Sequence, residues 1–344
     1  MTAALGYIAA GLIVLIAILA TADAGIRFAA RRGERITREL GPGAETAIAD
    51  YLAGEGGLPG ARSVAVSAAE RTVLLQVAVE ALGDLQGSER DHVADLVDRL
   101  GFVADALSRL RSRRRAVRRR AAETLAMIGT PSALAALRPA LADRDVRVRC
   151  TAARLLAEAA DDEAGAAVVA IADQDAVRAP GAVAAVVLAL GMSRPAAIGS
   201  MLRPGVGAEL KTLAIAVTGA LRLSSHGPAL QACLAQDDAI AAAAAHGLGR
   251  IGETMAVPAL IALARDEGRP PTARAAAASA LGSIGDVTAV PALGTLLSAD
   301  DWSLRTAAAQ GLTELGEEGT VALRLAAWSA RPEVREPARA ALLP

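Results

Sequence analysis

The most regular feature of the chain is a pattern of small and apolar residues that recurs from about residue 113 onward. In residues 273–285 (ARAAAASALGSIG) it begins with an apolar–Arg pair and ends on glycine, and residues 117–129 and 304–316 repeat it. The closing positions, which lie 28 to 33 residues apart, are Gly129, Ala160, Gly191, Ser224, Gly252, Gly285 and Gly316. A period this steady predicts an array of repeats instead of a single globular core.

Each repeat is predicted to be an antiparallel pair of helices. A second apolar segment precedes the clearest repeat helices, at residues 256–264 (AVPALIALA) and 289–297 (AVPALGTLL). Pro258 and Pro291 suit a first helical turn. Gly252 and Gly285 suit the left-handed residue that ends the preceding helix. One pair cannot cover its own apolar faces, so neighbouring pairs must stack, and we predict an all-α fold, an α-solenoid.

The repeats resemble bacterial HEAT repeats, in particular the alanine-rich variant also seen in phycobilin-lyase-like proteins. The resemblance covers residues 113–344 and implies that the turn Asp and the helix-opening Arg bind each other and the next repeat. The arginines to which it gives this structural role, as a ladder along the array, are Arg118, Arg149, Arg274, Arg305 and Arg335. Pro180, Leu213 and Ala241 stand at the corresponding places in the middle repeats, so we expect the ladder to be interrupted there.

Residues 1–25 are predicted to be a transmembrane anchor. The run from Ala3 to Ala22 has no charge, and its length matches the hydrocarbon core of a bilayer, about 30 Å at about 1.5 Å per residue. Four arginines follow between positions 27 and 35, which favours an N-out helix with a cytoplasmic C-terminal side. The alternative is a signal peptide cleaved after Ala22, because residues 20–22 form an A-x-A site.

Three further regions complete the predicted domain organisation. Residues 26–67 form a juxtamembrane linker rich in Gly and polar residues. Residues 68–112 form an N-terminal helical cap, with helices near 68–82, 88–100 and 102–110. Residues 113–344 hold the array, about seven HEAT-like repeats plus a terminal helix.

Charge is balanced over the whole chain but not locally. The net charge is −1, so no global field favours nucleic acid. Residues 109–120 nevertheless hold eight arginines and no acid. This segment is either a solvated face or a contact for anionic lipid headgroups or phosphate. The candidate anionic contacts are Arg113, Arg114, Arg115, Arg119 and Arg120. Nucleic acid is not expected as a partner, since no aromatic residues are interleaved for stacking.

The residues suited to catalysis are scattered. His92, His226 and His246 fall in different helices, so we expect no metal site, no cofactor and no intrinsic catalysis. Cys150 and Cys233 lie in helices of different repeats, and we expect reduced core residues, not a disulfide.

A polar surface remains as the candidate site. Positions six and ten after the opening apolar residue of each second helix are predicted to face the concave side, as a groove for a protein partner. These positions are Glu123, Arg154, Glu158, Thr218, Arg222, His246, Arg250, Ser279, Gln310 and Glu314. Trp302 and Trp328 lie near successive inter-helix turns and are candidate aromatic contacts, or else part of a C-terminal cap.

These features together favour a single-pass bacterial membrane protein with a cytoplasmic HEAT-like body that serves as scaffold or adaptor. A protein partner is expected, and a membrane-embedded enzyme is a plausible client. The alternatives are a lyase- or glycosylase-like HEAT enzyme, which the scarcity of aromatic residues opposes, and an extracytoplasmic binding module. The pattern favours no particular oligomeric state.

Overall fold

The computed structural model describes residues 42–44, 46, 48–50 and 68–343. Within these residues all regular secondary structure is helical and there is no β-strand. The predicted transmembrane segment lies outside the described residues, and no described helix is long and apolar enough to cross a membrane. The predicted all-α fold is therefore confirmed for the described part of the chain.

The chain divides into two compact units. The first contains the described residues up to 109 together with 127–133, and the second contains residues 110–126 and everything from 134. The helices at the start of the described chain are α1 (Ala68–Asp84), α2 (Gly87–Arg99), α3 (Phe102–Leu110), α4 (Arg115–Ile128) and α5 (Pro131–Leu137).

The first unit packs α1 against α2 around a small apolar core. Val73, Val93 and Leu96 are almost completely buried in it. Arg71 ties the helices together by donating to Asp105 (2.8 Å) and to the carbonyl of Leu100 (3.1 Å). These bonds connect α1 to α3 and to the end of α2.

The second unit is a stack of antiparallel helix pairs. Its first helices are α5, which continues into a 3₁₀ turn (Arg138–Ala142), α7 (Gly165–Asp175), α9 (Pro195–Met201), α11 (Gly227–Cys233), α13 (Val257–Arg265), α15 (Val290–Leu296) and α17 (Gly316–Ala326). Its second helices are α6 (Val146–Glu158), α8 (Pro180–Ser193), α10 (Ala208–Ala220), α12 (Asp238–Ile251), α14 (Pro271–Ile284), α16 (Trp302–Glu314) and α18 (Pro332–Ala341). Residues 115–126 of α4 stand before them as the second helix of the first repeat, and we call the layer formed by all these second helices the close-packed layer.

Glycine and alanine bring neighbouring helices of the close-packed layer unusually near to each other. A Cβ atom on Gly282 would lie 2.4 Å from the Cα of Gly311, and one on Gly249 would lie 3.0 Å from the Cα of Ala280. Side chains of larger size do not fit at such contacts. The high alanine and glycine content of the repeats is therefore a packing requirement of this layer.

The ends of the second helices follow the predicted chemistry in most repeats. Asp237 and Asp301 accept backbone N–H groups three residues later and cap α12 and α16. Gly252 and Gly285 end their helices with φ of 72° and 80°, which confirms the predicted left-handed residues. Ala160 occupies the same conformation with φ of 52°, although it carries a Cβ atom.

Two of the predicted closing positions are wrong. Gly191 lies inside α8, where a Cβ atom would come within 2.8 Å of side-chain atoms of Val217 and Leu221. It is a close-packing glycine, and the helix continues past it to Ser193. Ser224 is also not a helix-ending residue, because the left-handed residue after α10 is Arg222, with φ of 51°.

Candidate functional site

The first two arginines of the predicted ladder each form a bidentate ion pair with a carboxylate of the next repeat. Arg118 binds Asp143 through its Nε (2.6 Å) and a terminal nitrogen (2.8 Å). Arg149 binds Asp175 in the same two-pronged way, at 2.8 and 2.5 Å, and also donates to the carbonyl of Asp143 at 2.8 Å. The side chain of Asp175 is completely buried. These pairs clamp consecutive repeats together.

The carboxyl of Asp143 has a perturbed pKa. Burial alone would raise it, but the hydrogen bonds from Arg118 and from the backbone N–H of Asp145, with the positive charge of Arg118, outweigh burial and lower the pKa below 3.8. Asp161 has a lowered pKa for the same combination of reasons, with Arg138 as its partner. Both carboxylates are therefore ionised wherever the protein is folded near neutral pH.

The other three ladder arginines bind backbone oxygens instead of carboxylates. Arg274 donates to the carbonyl of Ala264 at 3.1 Å. Arg305 donates to the carbonyls of two residues in the turn before its helix, both at 2.7 Å. Arg335 makes the equivalent bond to Ser329 at 3.4 Å. They stabilise the inter-helix turn, and none of the three forms an ion pair with a described residue.

The ladder continues at one position where the sequence predicted an interruption. The ladder residue is the fourth of each second helix, and in α10 this is Lys211, not Leu213. Lys211 is buried and donates to Gln236 at 2.7 Å. The same count places Val183 at the position assigned to Pro180, while Ala241 is confirmed as a gap. The lone lysine of the chain was the signal that sequence analysis missed.

An arginine of the following repeat serves the turn next to Ala241. Arg269 donates from one terminal nitrogen to the carbonyl of Gln236 at 2.8 Å and to the carboxylate of Asp238 at 2.7 Å. It thereby supplies a hydrogen-bond donor to the carbonyl groups of a turn that has no ladder arginine of its own. The repeats are consequently linked through this region as well.

Nine of the ten predicted groove residues reach the surface of the close-packed layer. The residues that are at least partly exposed are Glu123, Arg154, Glu158, Arg222, His246, Arg250, Ser279, Gln310 and Glu314. Thr218 is the exception, because it is completely buried and donates its hydroxyl to the carbonyl of Ala214 at 2.8 Å. Its assignment to the groove is wrong, since the small residues of the layer bring the next helix over it.

Some of these side chains contact the neighbouring second helix. The Cδ of Arg250 lies 3.4 Å from the place where Gly219 would carry a Cβ. Glu314 accepts a hydrogen bond from the hydroxyl of Ser283 on the preceding second helix at 3.1 Å. The glycines that permit close packing therefore also make room for the polar side chains of the next repeat.

Seven of the eight arginines in the segment 109–120 are exposed. Arg118 is buried in its pair with Asp143, whereas the five candidate anionic contacts, Arg113, Arg114, Arg115, Arg119 and Arg120, are all exposed. Arg115 lies 3.8 Å from Asp145, and Arg119 lies 3.4 Å from Glu123. Exposed pairs of this kind contribute little to stability, so the charges stay accessible to a ligand.

A recess in the close-packed layer gathers further arginines. It has a volume of about 440 Å³ and lies among residues of α4, α6 and α8 and the turn before α8. Its lining residues are Arg119, Val146, Arg147, Cys150, Thr151, Arg154, Arg178, Ala179, Pro180, Gly181, Ala182 and Ala185. We call it the arginine groove. Sequence analysis identified Arg119 and Arg154 but missed Arg147 and Arg178, because α6 and the turn before α8 meet only through stacking.

The cysteines and histidines form no reactive cluster in the described chain. Cys150 and Cys233 are both free and buried, as predicted. Burial and, to a smaller extent, the negative charge of Asp175 raise the pKa of the Cys150 thiol to about 11. His226 is bonded to the carbonyl of Pro195 at 2.8 Å. No group of described residues could hold a metal ion.

The two tryptophans are exposed at the C-terminal end of the array. Trp302 begins α16 with 68% of its surface exposed, and Trp328 follows α17 with 86% exposed. Leu325, on the last turn of α17, is 73% exposed. Exposing an aromatic side chain to water is unfavourable, so a contact role for both indoles remains a prediction.

The chain is similar to several solved structures at low sequence identity. Kap95p bound to RanGDP superposes with a TM-score of 0.48 and 12% identity, over 81% of this chain and 45% of that one. Kap121p superposes with a TM-score of 0.42 and 12% identity, over 80% of this chain and 41% of Kap121p, so the chain spans less than half of that protein. The complex of CpcE and CpcF of phycocyanin lyase from Nostoc sp. PCC7120 superposes with a TM-score of 0.30 and 18% identity, over 78% of this chain and 97% of that one.

No curated protein is similar enough in sequence to be matched to the chain. The family model described as HEAT repeats, however, matches residues 103–194, 227–313 and 268–343. These ranges cover more than half of the chain and include all of the stacked helix pairs except α9 and α10. The protein therefore belongs to the HEAT-repeat family.

Proposed function

We propose that this protein is a membrane-anchored scaffold whose HEAT array holds a protein partner on the exposed side of its close-packed layer. The observation that carries the proposal is the row of polar side chains along that layer. Arg154, Glu158, Arg250, Gln310 and Glu314 stand in three different repeats, and the helices that carry the last three pack closely on their neighbours through glycine and alanine. Stacked repeats present extended surfaces of this kind to other proteins.

The rigidity of the layer favours binding of a large partner. The second helices α10, α12, α14 and α16 approach one another closely at glycines, and Arg149 joins α6 to the next repeat through Asp175. Side chains on such a support lose little further freedom when a partner docks. A mixed row of both charges suits the polar surface of a folded protein better than a small apolar ligand.

The anchor is proposed from the sequence. Ala3 to Ala22 is uncharged and long enough to span a bilayer, and the arginines after it favour a cytoplasmic array. The protein should stay in membranes after a high-salt wash, and a C-terminal reporter that works only in the cytoplasm should be active. A mature N-terminus at Asp23 would show cleavage and would contradict this part of the proposal.

Two matched double variants test the partner surface. Arg250→Ala with Glu314→Ala removes one charge of each sign from the close-packed layer, and Arg265→Ala with Glu317→Ala removes the same pair from exposed sites on first helices. Partners are cross-linked in native membranes, captured through the tagged full chain and identified by mass spectrometry. The first variant should lose the partner and the second should keep it. Equal capture by both variants would place the partner elsewhere and refute the assignment.

A further inference from the structure

We propose that the arginine groove binds an acidic segment of the partner protein, one in which carboxylate side chains are followed by apolar ones. This inference rests on the proposed scaffold function and names the site and the chemistry of the bound segment.

The groove holds four positive charges and no negative one. Arg119 comes from α4, Arg147 and Arg154 from α6, and Arg178 from the turn before α8. No Asp or Glu is among the lining residues. Cys150, Ala182 and Ala185 are apolar members of the same lining. A negative group that enters the recess meets several guanidinium groups at a site that is partly shielded from water, where charge-assisted hydrogen bonds are strong.

Two of these arginines have unused binding capacity. The guanidinium of Arg147 forms no ion pair with any described residue. Arg178 is 67% exposed and reaches only to 3.9 Å from Asp175, whose oxygens already accept both hydrogen bonds of Arg149. Both side chains can therefore turn to an incoming carboxylate without breaking a strong internal bond.

The other two arginines are paired only weakly. Arg119 forms an ion pair with Glu123 on α4, and Arg154 forms one with Glu158 on α6. In each pair the two residues are one helical turn apart and partly or fully exposed to solvent. Such exposed pairs contribute little to stability, so a ligand carboxylate can replace the glutamates at little cost. The planar guanidinium fork binds a carboxylate through two parallel hydrogen bonds.

The start of α8 adds backbone donors to the same recess. Ala179 provides no side-chain cap, and the N–H groups of Gly181 and Ala182 precede the first intrahelical bond, which Val183 makes to the carbonyl of Ala179. A Cβ atom on Gly181 would meet nothing within 4 Å, so the backbone there faces open space. Free N–H groups at a helix start favour negative charge and reinforce the arginines.

An exposed apolar strip continues along α8 from Ala185, which lines the groove. Ala185, Leu188 and Met192 share one helix face by their spacing, and Leu188 and Met192 are 42% and 71% exposed. A segment with carboxylates in the groove would therefore lay its following residues on Leu188 and Met192. This continuity favours a peptide over a lipid headgroup or free phosphate, neither of which would use the strip.

The test uses two fluorescein-labelled peptides, one with a run of glutamates followed by leucines and one with glutamines in place of the glutamates. Binding to the full chain in nonionic detergent is followed by fluorescence anisotropy. Arg147→Gln with Arg178→Gln should weaken binding of the glutamate peptide about tenfold, because two charge-assisted contacts are lost. Arg265→Gln with Arg331→Gln, which removes two exposed arginines elsewhere, should change it less than about twofold. Met192→Ser should weaken both peptides.

Three results would overturn the inference. The first is equal binding of the glutamate and glutamine peptides. The second is equal loss in the groove and control variants. The third is binding of phosphatidylserine-containing vesicles that depends on Arg147 and Arg178 while the peptide does not bind, which would make the groove a lipid site. If partner capture still depends on Arg250 and Glu314 in any of these cases, the scaffold function stands and only the arginine groove assignment fails.

Discussion

The pair between Arg149 and Asp175 gives the sharpest test of how the repeats are held together. Arg149→Ala removes two hydrogen bonds to a carboxylate that is completely buried, and a third to the carbonyl of Asp143. Arg274→Ala is the matched control, since Arg274 occupies the same helix position and makes one bond to a backbone oxygen. Both changes remove the same side chain, but only the first leaves a buried charge without its main partner.

The expected costs differ by more than a factor of two. Removing one partner of a buried ion pair costs about 3–5 kcal/mol, because the remaining charge stays desolvated. Losing a single hydrogen bond to a carbonyl costs about 0.5–1.5 kcal/mol. Arg178, which lies 3.9 Å from Asp175 and is mostly exposed, replaces only a small part of the lost interaction.

Urea denaturation of the full chain, followed by far-UV circular dichroism, measures the difference. Arg149→Ala should unfold at clearly lower urea than Arg274→Ala, and Arg149→Met with Asp175→Leu should recover most of the loss because no charge is left buried. Equal midpoints for the two single variants would refute the reasoning. So would a double variant less stable than Arg149→Ala alone.

Three further predictions follow from the packing and the pKa directions. Gly282→Ala should lower the melting temperature, at a cost of about 1–3 kcal/mol, because the new Cβ would lie 2.4 Å from the next helix, whereas Gly294→Ala, which meets nothing within 4 Å, should not. The carboxyl of Asp143 has a lower pKa in the folded than in the unfolded chain, so the stability that its charge contributes is present above about pH 4 and is lost as the pH falls further. The difference in unfolding free energy between the parent and Asp143→Asn should therefore shrink in acid. A difference that does not depend on pH would contradict this. Cys150, with a pKa raised to about 11, should react with iodoacetamide at pH 8 far more slowly in the folded than in the urea-unfolded protein, and equal rates would contradict its burial.

Periodicity was enough to predict the helix pairs, since a repeat array depends only on neighbours. The left-handed glycines at 252 and 285 were predictable because backbone conformation at a helix end is a local property. Gly191 was misassigned because a glycine required by packing looks the same in sequence as one required by a turn. Only the contact with Val217 and Leu221 separates the two cases.

The candidate site was predictable in part, for a related reason. Exposure on the close-packed layer follows from helical spacing, which placed Arg250 and Glu314 correctly. Thr218 was misplaced because its burial depends on how closely the next helix approaches. Arg147 and Arg178 were missed because the groove forms between repeats, and the offset between stacked helices is not encoded in either helix alone.

Site-specific photo-crosslinking tests the central claim, that a partner occupies the exposed side of the close-packed layer. A benzophenone amino acid replaces Gln310, exposed on α16, or Ala262, exposed on first helix α13, and the cells are irradiated before the membranes are solubilised. The account predicts a discrete protein adduct from position 310 and none from position 262. Adducts from position 262 alone, or equal adducts from both positions, would contradict it.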